Sequence, residues 1–163
     1  MKRALATAGL TGLVAVALTA AAAAESKWVV EQGRSVRDNS RAVSLKLLPE
    51  KGTAGLSALC LEGITRVTFL SLDRVPLPPN ADTAVIGYRV DGRAPLSKPF
   101  GAGENGTVFT IAGERAAEFL KELLGGERLY VRIELPPGPV EIAELPIAGL
   151  DEIIGPFREA CHW

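Results

Sequence analysis

Two cysteines and a single histidine carry the most chemical reach in this sequence. Cys60 stands in an apolar run, and Cys161 is followed by His162 and Trp163. A thiol and an imidazole can form a nucleophile and base pair, but only where a third group holds the imidazole in a pocket, and a penultimate position tends to fray. His162 is therefore read as part of a structural end. There is no C-x-x-C spacing, and apart from His162 no cation lies close in sequence to stabilise a thiolate. Two cysteines and one histidine also cannot build a recognisable transition-metal cluster. No cofactor and no metal are expected.

Carboxylates are the next candidates. Glu114, Glu118 and Glu122 repeat every four residues, the spacing of one solvated helix face with slightly unfavourable like charges. A glycosidase pair from residues distant in sequence stays possible, although no local motif signals it. Tyr88-Arg89-Val90-Asp91-Gly92 runs a strand into a hairpin turn. Arg89 and Asp91 there read as sharing one strand face at the hairpin mouth, either as an exposed ion pair of little energetic worth or, with Tyr88, as a recognition surface, since loops carry binding. Asn105-Gly106-Thr107 fits a glycosylation acceptor but is first a turn signal, and the Gly-rich residues 101 to 106 lead into a strand, not into the helix that would cradle a phosphate.

What the two cysteines do depends on the compartment. Lys2 and Arg3 form a positive start, Leu10 to Leu18 an apolar stretch, and Ala22-Ala23-Ala24 a small-residue cleavage site before Glu25, the pattern of a bacterial export signal. Residues 1–24 are read as the signal peptide and 25–163 as a single exported globular domain, with no stable membrane span once the signal is removed. In an oxidising compartment an even pair of cysteines argues for a bridge, and Cys60 with Cys161 is the one intramolecular pairing available. Removing the signal leaves 16 basic residues against 19 acidic ones, a net charge of about −3. That balance, with the basic residues scattered, disfavours nucleic acid and anionic lipid as partners.

Most of the domain reads as strand. Residues 25–39 look like a polar N-terminal arm tied down by Trp28, Val29 and Val30. Val43, Leu45 and Leu47 alternate with polar residues, and Leu56 to Leu61 is apolar on both sets, as for a central strand covered on both faces with Cys60 interior. Glu62-Gly63 marks a hairpin into Ile64 to Leu72; Pro76, Pro78 and Pro79 mark a loop; Ile86, Tyr88 and Val90 share one side of a strand from Thr83 to Val90. Pro95 and Pro99 limit the following segment to an edge strand. Strands follow at Gly106 to Ile111, Arg128 to Leu135 and Val140 to Leu145.

Two helices are expected. Ala116, Ala117, Leu120, Leu123 and Leu124 form the apolar stripe of the first, which Gly125-Gly126 stops. Leu150, Ile153, Ile154, Phe157 and Cys161 form that of the second, which Gly155-Pro156 must kink or break into two pieces. Trp163 beside Cys161 reads as packed. The fold class is α+β, a predominantly antiparallel β-sheet or sandwich with two helices, the C-terminal one disulfide-linked to a central strand.

The early Trp28, the Cys60 strand, Tyr88 to Asp91, the helix segment Phe119 to Leu124, Gly149-Leu150 and the closing Cys161-x-Trp163 together resemble the VasI/TagO-type periplasmic proteins associated with type VI secretion. The resemblance spans most of the mature chain and implies a non-enzymatic accessory domain of a secretion or envelope system, with a disulfide between the two cysteines. The expected function is a small periplasmic accessory or binding protein whose partner is an envelope or secretion-system protein. Two alternatives carry their own signatures: an inhibitor of a wall-degrading enzyme would present residues 73–82 or 101–106 as a protruding loop, and an exported hydrolase would converge two carboxylates in a cleft.

Overall fold

The computed structural model describes residues 28–48, 54–103, 105–135 and 138–163; the expected signal at residues 1–24, the expected turn at Pro49 and the expected stop at Pro136-Pro137 lie outside them. Nine strands form one antiparallel sheet: β1 (Trp28–Arg34), β2 (Arg41–Leu47), β3 (Ala54–Leu61), β4 (Ile64–Ser71), β5 (Thr83–Val90), β6 (Leu96–Ala102), β7 (Val108–Ala112), β8 (Arg128–Glu134) and β9 (Val140–Pro146). Their order across the sheet is β1-β2-β3-β4-β7-β6-β5-β8-β9. Among the described residues there are also three short helices: α1 (Glu114–Leu123), α2 (Leu150–Ile153) and α3 (Gly155–Cys161).

Local chemistry explains several joints. Leu61 pairs with Ile64 across a two-residue turn in which Glu62 and Gly63 both have positive φ, 53° and 72°, the type I′ geometry whose twist matches that of the strands. Gly155-Pro156 splits the terminal helix into α2 and α3, because proline removes an amide donor and disfavours helical geometry just before itself. The second expected helix is thus in two short pieces, as Gly155-Pro156 implied.

Alternation assigns one face of the sheet to the core. Val43, Leu45 and Leu47 of β2, Leu56, Ala58 and Cys60 of β3, Val67 and Phe69 of β4 and Leu129, Val131 and Ile133 of β8 are all buried. The helices close over this face: α1 packs on β4 and β7, and α3 on β2 and β3. Phe119 of α1 sits among Phe69, Phe100 and Tyr88 with ring centroids 5.7, 5.9 and 4.9 Å away, in edge-on arrangements that suit aromatic quadrupoles. Across the sheet, the Trp28 Nε1–H donates to the Ile147 carbonyl just beyond β9 at 3.3 Å, so the two ends of the strand order approach each other there.

Three expectations need correction. The segment at Trp28 is a full strand in register with β2, not a polar arm. β3 is fully buried only on the face of Leu56, Ala58 and Cys60, which the helices cover; the other face runs from buried Gly55 through half-buried Ser57 and Leu59 to exposed Leu61. β6 lies inside the strand order, and Pro99 sits in its ladder with β5, opposite Val85. It pairs with β7 only through Gly101 and Ala102, beyond both prolines, so the proline-bearing part of β6 is unpaired on its β7 side.

Candidate functional site

Cys60 and Cys161 are bonded, with their sulfurs 2.04 Å apart, and both are buried. The bridge joins β3 to α3, as the compartment argument required. Beside it Trp163 is packed: its ring meets Phe157 edge-on at 6.2 Å, its Nε1–H donates to Thr65 Oγ1 at 3.1 Å, and the Arg158 guanidinium and Lys121 ammonium lie 5.7 and 5.2 Å from the indole. His162 has φ 58°, the left-handed conformation in which α3 stops.

The structure separates the three residues proposed as a recognition surface. Tyr88 is 3% exposed, because it alternates in phase with Ile86 and Val90. Its hydroxyl donates to Glu122, and burial, reinforced by that carboxylate, pushes its pKa well above the usual tyrosine value. Asp91 has left the strand face, at φ 49° in the turn. Its carboxylate accepts the amides of Glu127 at 3.1 Å and Arg128 at 2.8 Å, while nearby Arg93 donates to the Glu122 and Leu124 carbonyls at the end of α1. Asp91 and Arg93 thus anchor the hairpin to the connection between α1 and β8. Arg89 alone keeps its side chain on the exposed face.

Around Arg89 lies a notch of about 220 Å³, lined by Gly87, Arg89, Pro95, Tyr130 and Arg132 together with Tyr88 and Val131. Arg89 is opposite Tyr130, and Gly87 opposite Arg132, in the β5/β8 register. The Arg89 guanidinium stacks over the Tyr130 ring, 4.9 Å from its centroid, a cation–π contact that holds its direction. Arg132 Nε donates to Glu134 Oε1 at 2.8 Å. Gly87 makes this arrangement possible: a Cβ there would lie 2.7 Å from Glu134 Oε1 and 3.0 Å from Arg132 Nε. The sequence singled out Arg89 and Tyr88 of this lining but missed Gly87, Pro95, Tyr130 and Arg132; Tyr130 and Arg132 reach Arg89 and Gly87 only through a strand pairing more than forty residues apart. The alternation Arg128, Tyr130, Arg132 on β8 was the one available hint.

Two other clusters answer the alternatives. Glu118 and Glu122 converge, but on Lys98, whose ammonium lies 3.7 and 3.1 Å from them. With Tyr88 also bonded to Glu122, that carboxylate is held in an ion-paired seam fastening α1 to β5 and β6, not in an open cleft. Glu122 is thereby drawn off the solvated face expected for it. Of the two candidate loops, 73–82 and the described part of 101–106 stand together: Val75 N–H donates to the Gly106 carbonyl at 3.0 Å and Ala102 N–H to the Asp82 carbonyl at 2.8 Å. They line a groove of about 720 Å³ in which Pro76, Pro78 and Pro79 stand with Arg74, Asn80, Asp82 and Asn105.

Among the described residues no group of three or more His, Cys, Asp or Glu side chains is placed to hold a metal, and no helix is long and apolar enough to cross a membrane. No curated protein and no solved structure matches the sequence. A family model described as type VI secretion system VasI, EvfG matches residues 43–163, which include both cysteines, the whole Arg89 notch and all three helices. The chain belongs to this VasI family and is thereby linked to type VI secretion.

Proposed function

We propose that the protein is exported to the periplasm and acts there, without catalysis, by binding another protein of the secretion apparatus. The observation that carries this reading is the Cys60–Cys161 bridge within the VasI match: a buried long-range disulfide persists in an oxidising compartment and is rare in the reducing cytosol. The export signal at residues 1–24 agrees with it. Binding is favoured over hydrolysis because Glu118 and Glu122 meet at Lys98, while Arg89, Tyr130 and Arg132 supply the side-chain types that dominate protein interfaces.

The test is complementation of a strain lacking the protein. The full chain should restore release of secreted proteins into the medium, and a chain lacking residues 2–24 should not. Equal restoration by both chains would contradict a periplasmic role.

A further inference from the structure

We propose that the notch between β5 and β8 is the docking point for an aspartate or glutamate side chain of a protein of the secretion apparatus; this rests on the binding reading above and gives it a chemistry. The Arg89 guanidinium makes no hydrogen bond or ion pair among the described residues and is held only by stacking on Tyr130. Arg132 uses its Nε for Glu134, and its terminal nitrogens have no hydrogen-bond partner among the described residues. A guanidinium presents five N–H donors in a fixed fork that matches a carboxylate. Two such forks facing one concavity therefore leave donors unmatched on a face that already accommodates one carboxylate, that of Glu134.

Size and composition select a protein side chain as the occupant. About 220 Å³ is below the roughly 300–1,000 Å³ of sites that enclose small molecules, and it suits one anchoring side chain. Arginine and tyrosine around a small pocket are the make-up of interface hot spots. Of the acids near it, Glu134 is engaged by Arg132 and Glu144 by Arg128, and neither pairs with Arg89; Glu141 stands opposite Arg132 in the β8/β9 register.

The test follows backbone amide shifts of isotope-labelled, oxidised protein titrated with an N-acetylated, C-amidated Ala-Glu-Ala peptide and with its Ala-Gln-Ala counterpart. The glutamate peptide should move the amides of Gly87, Arg89 and Arg132 with millimolar affinity that weakens as salt is added, and the glutamine peptide should bind at least about tenfold more weakly. Arg89→Gln and Gly87→Ala should each lose the response, while Arg115→Gln, on an exposed residue of α1, should keep it. Equal responses to both peptides, shifts centred elsewhere, or no shifts at tens of millimolar peptide would overturn the proposal. A stronger response to a wall muropeptide than to the glutamate peptide would assign the notch to the cell wall and overturn the protein source. Crosslinking in cells separates the two levels: a partner captured equally by the wild type and Arg89→Gln rejects the notch and leaves the binding reading standing, whereas no capture by the wild type rejects both.

Discussion

Reducing the Cys60–Cys161 bridge should destabilise the domain strongly without abolishing its fold. The cysteines are separated by 101 positions, and for a closed loop of about 100 residues the chain-entropy relation gives about 4.7 kcal/mol at 25 °C. Strain and residual structure usually lower such figures, so a loss of about 3–5 kcal/mol is expected. On the native side α3 keeps Phe157 in the core and Trp163 on Thr65, so the reduced helix still has a docking site. A domain of this size loses about 3–5 °C of Tm per kcal/mol, which makes the expected fall about 10–20 °C. The assay is urea unfolding of the same protein with and without reductant, followed by far-UV circular dichroism and by tryptophan fluorescence. Reduction should also raise the m-value, because the released unfolded chain exposes more surface. Cys161→Ser should match the reduced wild type. A loss below about 1 kcal/mol would refute the tether as a major source of stability.

Three further outcomes follow from the packing. Phe119→Ala should cost about 3–5 kcal/mol in urea unfolding, since it empties the space between Phe69, Tyr88 and Phe100; a cost under 1 kcal/mol would mean that α1 is not seated there. The raised pKa of Tyr88 makes a stabilising contribution that is fully present below the unfolded tyrosine value of about 10 and is lost as pH rises above it. In a Tyr130→Phe background, phenolate absorbance should therefore stay absent at about pH 11 until the chain unfolds, and reversible ionisation near pH 10 in the folded state would contradict it. Gly106→Ala should destabilise by about 1–3 kcal/mol, because its φ is 61° and a Cβ would lie 2.4 Å from the Val75 carbonyl oxygen; unchanged unfolding would show that the two loops separate easily.

The parts of the fold legible in the sequence were those decided locally. Glu62-Gly63 specifies its turn by backbone preference, and Gly155-Pro156 its helix break by a missing amide. The bridge was legible because two cysteines leave one intramolecular pairing. β1 was not, since only three of its residues are apolar and its strand character comes from pairing with β2. Tyr88 shows the cost of reading a hairpin mouth by position alone: its alternation with Ile86 and Val90 already placed it inward, and its hydroxyl found a partner on α1. Asp91 was misplaced because a positive φ, not strand alternation, aims its carboxylate at the Glu127 and Arg128 amides. The notch around Arg89 needed the β5/β8 register, which no spacing along the chain encodes.

The central claim is that this VasI-family domain works outside the cytoplasm by holding a protein of the type VI apparatus. The most direct measurement is mass spectrometry of adducts formed in intact, secreting cells by a photo-crosslinker placed at the exposed Pro95, on the rim of the notch. Adducts with a component of the apparatus are expected, carried on chains whose Cys60 and Cys161 are oxidised and which lack residues 1–24. Adducts only with cytoplasmic proteins, on chains with two free thiols, would contradict it.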